Sequence, residues 1–267
     1  MLPSRLMTEL TQPEVARQFE MNPLVILPTG SVEQHGAHLP AGTDSFAAEM
    51  IAEAVAKRMD ALVLPGPIVG VTPMHMPYEA TLSFTPDTYI RVVTEICESA
   101  AKHGAKRLLI MNWHEGNIPS LAIAAEDLHR RVGMTVLTVQ ACYVAEEMYG
   151  AQCNGLTHGG EIEALAVLAC RPQLVHLDRI ADSSDHQRGH RMDKLRRTRS
   201  YQPVLTDIRN IAPTGWYGTP AGATAERGAA MVENVADAIA AEATELYAQL
   251  DRVLRGTAEV THLREVT

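Results

Sequence analysis

No apolar run in the 267 residues approaches the roughly 18 needed to cross a membrane as a helix. Residues 1–12 are polar and lack the apolar core of a signal peptide, so a cytoplasmic location is expected. Cysteine is scarce: Cys97, Cys142, Cys153 and Cys170 match neither the paired spacings of a zinc site nor a redox dithiol. Cys97 and Cys170 fall inside apolar helical patterns and are expected as core thiols. Excess positive charge is also missing. The formal net charge is −9, which argues against a nucleic-acid partner. There is no Rossmann glycine fingerprint, no internal repeat and no break in composition that would mark a domain boundary. The whole chain, 1–267, is therefore expected to form a single domain.

What is present is a core-forming chain. Hydrophobic residues make up 46% and charged residues 21%, outside the range of a disordered polypeptide. Short apolar runs at 24–28, 61–64, 107–111 and 134–139 read as buried strands. Between and after them come helical patterns at 13–19, 46–59, 87–103, 118–132 and 161–169, with a long alanine-rich one at 225–255. Asp44 or Ser45 is the expected N-cap of the second helix, and Pro86 opens the third. Residues 142–156 carry no clear pattern. Strand–helix alternation repeated four times predicts an α/β fold with a mostly parallel sheet and helices on both faces. The stretch 171–219 is the least regular. Within it lies a basic run of Arg188, His190, Arg191, Lys194, Arg196, Arg197 and Arg199, read as a solvated face.

The chemistry concentrates where strands or loops give way to helices. The stretch 30–44 follows the first strand and holds Glu33, His35, His38 and Asp44. The break after the third strand holds His114 and Glu115. The third place, before the helix at 161, holds His158, Glu161 and Glu163. In a parallel sheet such points converge on the carboxyl edge. A mixed set of carboxylates and imidazoles suits Zn²⁺ or Mn²⁺. A pair of such ions would generate a hydroxide nucleophile near neutral pH. Taken singly, each residue has a structural reading; Glu161, for example, would complement the start of a helix dipole.

Several stretches together resemble the creatininase, or creatinine amidohydrolase, family. They are Pro28-Thr29-Gly30-Ser31-Val32-Glu33-Gln34-His35-Gly36, Leu39-Pro40, Thr43-Asp44, Ala80-Thr81-Leu82-Ser83, Asn112-Trp113-His114-Glu115-Gly116-Asn117 and His158-Gly159-Gly160-Glu161-Ile162-Glu163. Gly218-Thr219-Pro220 and Ala223-Thr224-Ala225-Glu226-Arg227-Gly228 follow in the family's order. The resemblance implies a three-layer α/β/α fold and two divalent ions, zinc and/or manganese, with iron also admissible. By that analogy Glu33, Asp44 and His114 hold one ion, and His35 and Asp44 hold the other, with Asp44 bridging. Creatininase completes its second site with a Glu two residues after the His of the third-strand motif. Here that position is Gly116, and the acid stands one residue earlier, at Glu115. Many family members with Gly there carry a Glu three residues after the later His, which points to Glu161 as the replacement ligand.

The resemblance also makes His158 the catalytic proton shuttle and leaves Glu115 for the substrate, for orienting water or for supporting the ligands. Creatininase closes its pocket with tryptophans; the corresponding region here has Tyr143 and Asn154. Trp113 stands where a Gly is usual, and Glu79-Ala80 replaces a Pro-Gly, so Glu79, Glu115 and Asn154 are expected as polar groups of the pocket wall, suited to a hydroxyl-rich or amide-rich small substrate. Creatinine itself is therefore not the expected substrate. The expectation is hydrolysis of a C–N amide bond in a small, polar, cyclic substrate by metal-bound hydroxide. The alternatives are C–C hydrolysis of a cyclic diketone such as a dehydro-inosose, or a non-catalytic metal-dependent binding protein. Homo-oligomerisation, as a hexamer in many family members, is also implied.

Overall fold

A computed structural model describes residues 2–180, 189, 191 and 204–265, the last eleven of these as helix backbone alone. The basic run lies, apart from Arg191, outside the described residues. Four strands, β1 (Leu24–Thr29), β2 (Leu62–Val63), β3 (Arg107–Asn112) and β4 (Thr135–Gln140), form one parallel sheet in the order β2-β1-β3-β4. The helices with described bounds are α1 (Gln12–Met21), α2 (Thr43–Met59), α3 (Pro86–Lys102), α4 (Ile118–Val132), α5 (Ala141–Cys153), α6 (Glu161–Cys170) and α7 (Ala225–Glu265).

The two-residue alternation of a strand sorts its side chains into two layers. Val25 and Leu27 of β1, with Leu108 and Ile110 of β3, pack with Phe19, Tyr89, Val93, Leu121 and Leu128 of α1, α3 and α4. Leu24, Ile26, Leu109 and Met111 face the other way, onto α2, α5, α6 and α7. Both central strands are buried on both faces. This explains their unbroken apolar sequence, and it makes the fold the expected three-layer α/β/α arrangement. Pro86 begins α3, with Thr85 as its cap accepting the Thr88 N–H. Residues 142–156, without a pattern in the sequence, contain α5, whose end is capped by Asn154 in a left-handed conformation (φ 59°).

Registry then places the chemistry. β1 and β3 are paired so that Thr29 lies opposite Asn112, and Asn112 lies opposite Gln140. Three chain segments therefore leave the sheet at one level on its carboxyl edge, as doubly wound folds place their sites. α2 starts one turn earlier than expected. Gly42, not Asp44 or Ser45, stands at its N-cap, and Asp44 lies within the first turn, buried. Gly30 lets the loop lie against that turn, since a Cβ on it would strike the Asp44–Ser45 backbone.

Candidate metal centre

Five chain segments meet above the carboxyl edge. The loop after β1 brings Glu33, Gln34 and His35; the first turn of α2 brings Asp44. A short 3-10 turn, Pro73–His75, brings His75. The end of β3 brings His114, and the start of α6 brings His158 and Glu163. Glu33, His35, Asp44, His75, His114 and Glu163 are all buried.

The ligand-type atoms fall into overlapping groups. Glu33, Asp44 and His114 form one, and His35, Asp44 and Glu163 another. Within each, one atom per residue lies within 4.8 Å of the others. A third grouping, Glu33, His35 and His158, spans the gap between them. Asp44 divides its two oxygens. Oδ2 is 3.1 Å from His114 Nδ1, and Oδ1 is 3.3 Å from His35 Nε2. His114 Nδ1 also lies 3.5 Å from Glu33 Oε1, and His35 Nε2 lies 3.6 Å from Glu163 Oε2.

The outward sides of these groups are anchored. His35 Nδ1 is 3.0 Å from the Glu33 carbonyl, and His114 Nε2 is 3.1 Å from the Val71 carbonyl. A carbonyl only accepts, so those nitrogens carry the protons and the facing nitrogens keep lone pairs. Ser31 donates to Asp44 Oδ2 (2.8 Å), the Gly159 N–H donates to Glu163 Oε2 (2.6 Å), and the Thr72 hydroxyl donates to Glu33 Oε2. Ligating imidazoles and carboxylates are characteristically fixed from behind in this way.

These residues fit a pair of divalent cations. His35 Nε2 is fully buried and makes no hydrogen bond. Its lone pair faces carboxylate oxygens, an arrangement that is repulsive unless positive charge lies between. Protons otherwise supply that charge. Burial alone would lower His35, but Glu163 and Asp44 overcome it and raise the imidazole to about 10. Burial opposes the charged form of His114 too, and Glu33 and Asp44 push it well above its ordinary value. Glu163 is raised to about 8 by burial, with His35 opposing and Asp44 adding to the rise. Protons on His35, His114 and Glu163 thus balance the buried charge of Glu33 and Asp44 wherever cations do not, which is the linkage expected of a metal site. His158 is different: burial, His75 and His35 all push it well below the ordinary imidazole value, so it is neutral.

Glu33, His35, Asp44 and His114 are brought together as the sequence suggests. Glu161 is not. Its Oε1 forms an ion pair with Arg227 of α7, and it belongs to neither group; Glu163, two residues on, points into the site instead. His38 also stands apart. Its Nε2 is 2.7 Å from the Gly159 carbonyl, and its ring packs edge-on against Trp216 with centroids 4.6 Å apart. Gly116 has a local reason: a Cβ there would collide with the Val71 carbonyl and His114 Nε2.

A cavity of about 250 Å³ opens onto the groups. Its walls include Trp113, Glu115, Cys142, Leu156, His158, Leu205, Ile208 and Tyr217. Glu115 is half-buried at this wall. Glu79 and Asn154, expected as polar wall residues, are exposed and do not line it. Tyr143 packs on the core beside α2, α6 and α7. His75, Thr72 and Tyr217 line the cavity without having drawn notice as candidates, because single residues in an irregular stretch carry no spacing signal.

Comparison with known proteins places relatives beside this geometry. A family model described as creatininase, creatinine amidohydrolase, matches residues 8–243. A mycofactocin precursor peptide peptidase of Mycobacterium ulcerans (strain Agy99) is 29% identical over 227 residues, 80% of this chain and 82% of its own. A creatinine amidohydrolase of Pseudomonas putida is 31% identical over 180 residues, 60% of this chain and 68% of its own. A solved structure named Creatininase Mn aligns with a TM-score of 0.74 at 26% identity, covering 91% of this chain and 98% of that one.

Proposed function

Because the chain belongs to the creatininase family and is a metal-dependent hydrolase of it, we propose that it hydrolyses the C–N amide bond of a small, polar substrate at a dinuclear centre. The carrying observation is the division of Asp44. One oxygen faces His114 and the other faces His35, and each imidazole turns a lone pair inward. In this reading Glu33, Asp44 and His114 hold one ion, and His35, Asp44 and Glu163 hold the other. Three carboxylates and two neutral imidazoles against two divalent ions leave the centre with one excess positive charge. The mixed nitrogen and oxygen donors favour zinc or manganese. When bound, such a pair supplies Lewis acidity and lowers the pKa of water.

The chain's own groups do the rest. His158 holds its Nε2 2.7 Å from the Gln34 carbonyl, to which it donates. Its Nδ1 therefore carries the lone pair, on the side facing Glu33. Neutral by burial, it takes a proton from water at Nδ1 and delivers it to the departing nitrogen. Glu115 accepts hydrogen bonds from N–H or O–H groups of the substrate at the cavity wall. Trp113, Val71 and Leu156 give the cavity an apolar lining beside these groups. The volume of about 250 Å³ is below the usual range for drug-sized ligands, which supports a small substrate or a short terminal segment. A creatinine amidohydrolase and a peptide peptidase among the relatives both favour C–N over C–C cleavage.

The test is metal analysis of the purified chain and of Asp44→Ala, with hydrolysis assays on cyclic amides and short peptides. Two divalent ions per chain, both lost from Asp44→Ala, and amide turnover are expected. Two ions retained by Asp44→Ala, or no amide hydrolysis by metal-loaded protein, would refute the proposal.

A further inference from the structure

One side chain in the cavity has no part in the scheme above. His75 is 4% exposed, lines the cavity, and stacks at a tilt on His158 with centroids 4.3 Å apart. Which of its nitrogens carries the proton follows from Gln34. The Gln34 amide is fixed by two backbone groups: Oε1 accepts the Gly36 N–H at 3.1 Å, and Nε2 donates to the Gly215 carbonyl at 2.5 Å. Nε2 has a second hydrogen and two imidazole nitrogens within reach, His75 Nδ1 and His158 Nε2, each at 3.1 Å. His158 Nε2 already donates to the Gln34 carbonyl, so it cannot also accept. The second hydrogen therefore goes to His75 Nδ1, and the His75 proton sits on Nε2.

That N–H points toward the centre. The nearest carboxylate oxygen, Glu33 Oε1, is 3.8 Å from Nε2, beyond hydrogen-bond range. The other titratable groups around it offer no N–H: in the reading above Glu33, Asp44, Glu163 and His114 Nδ1 are turned to the ions, and His158 Nδ1 holds a lone pair as the proton carrier. An amide carbonyl that gains negative charge as it becomes tetrahedral needs a donor, already aimed.

We propose that His75 is a catalytic residue, whose Nε2–H, fixed by the Gln34 amide, donates to the substrate's carbonyl oxygen as that oxygen becomes an oxyanion. The inference rests on the amide-hydrolysis reading. Water's oxygen forms the new bond to the carbonyl carbon, and the π pair moves onto oxygen. The His75 N–H bonds to that oxygen without giving up its proton. Collapse of the intermediate returns the pair and expels nitrogen, protonated through His158. Gln34 is a positioning residue.

Two measurements on the zinc-loaded protein test this. ¹⁵N-imidazole NMR, with His75 assigned by its loss in His75→Gln, should show a protonated Nε2 and a bare Nδ1. In Gln34→Glu, whose carboxylate accepts from Nδ1, the pattern should reverse. In amide hydrolysis, His75→Leu should lower kcat about 100-fold, the usual effect of losing one oxyanion donor, with KM and metal content little changed. His75→Gln, whose side-chain N–H can reach the position of Nε2, should recover about tenfold of that loss. A wild-type spectrum with the proton on Nδ1, an unchanged kcat in His75→Leu, or loss of metal from that variant would each overturn the inference. Absence of wild-type amide turnover would instead defeat the functional reading, and the spectrum would still decide the tautomer.

Discussion

Glu161 and Glu163 offer the sharpest comparison, because they are two residues apart and face different partners. Glu163→Gln keeps the shape and removes the charge. Its carboxylate lies 3.6 Å from His35 Nε2 and accepts the Gly159 N–H at 2.6 Å. Loss of a mere supporting partner typically lowers metal affinity 10–100-fold, so loss of a ligand should cost about 100-fold or more. In the metal-free form at neutral pH Glu163, raised to about 8 by burial, already holds a proton, so the amide replaces a neutral acid and the stripped protein should not lose stability. Glu161→Gln is expected to do the reverse. It breaks the ion pair to Arg227, whose side chain is 39% exposed while that of Glu161 is 8% exposed. A fully buried pair broken on one side costs about 3–5 kcal/mol; solvent at Arg227 should reduce this to about 1–2 kcal/mol. For a chain of this size that is a fall of roughly 2–8 °C in Tm, with both ions retained. Metal content after dialysis against a weak chelator, followed by calorimetry of the stripped proteins, reads both quantities. Loss of an ion from Glu161→Gln, with both kept by Glu163→Gln, would return the ligand to Glu161 and refute the assignment.

His158→Ala should keep both ions and lose turnover by about 10²–10⁴-fold; normal turnover in a metal-loaded sample excludes it as the proton carrier. The metal-free protein should lose stability as pH rises from 7 to 9. His35, raised to about 10, and Glu163, raised to about 8, both bind protons more tightly folded than unfolded. The unfolded chain has already released those protons in this window, and the folded one gives them up only as the pH climbs. Tm of the stripped protein at successive pH values checks this. A Tm that rises across the window would contradict the sign, and the metal-loaded protein should show a much flatter profile.

Much of this is legible in the amino-acid sequence. The strands at 24–28 and 107–111 have apolar runs that leave no room for a solvent face, and both are buried on both sides of the sheet. The gathering of Glu33, His35, Asp44 and His114 follows from parallel pairing, because level strand ends bring their loops together. The choice between Glu161 and Glu163 was not readable locally. Two residues apart on a helix, they point about 200° from each other. Which one faces the site is set by how α6 packs on α7, and there Arg227, far along the chain, captures Glu161. Glu79 and Asn154 failed as wall residues for a related reason. Motif alignment gives order along the chain, whereas Asn154 is committed to ending α5 in a left-handed turn. His75 lies in an irregular stretch where no period constrains its direction. Its role emerges only through Gln34, which is fixed by a backbone carbonyl at Gly215.

The sharing of Asp44 between two groups has a consequence for how the centre can change over generations. Glu33, Asp44 and His114 all come from the part of the chain that ends just after β3, and the other group reaches forward to Glu163 at the start of α6. Substitutions or insertions beyond residue 114 can alter one ion's surroundings while leaving three donors of the other in place. One half of the centre can thus be inherited nearly intact while the other varies in affinity, metal preference or substrate. A single fold that keeps its opening loop can in this way come to serve several different hydrolyses.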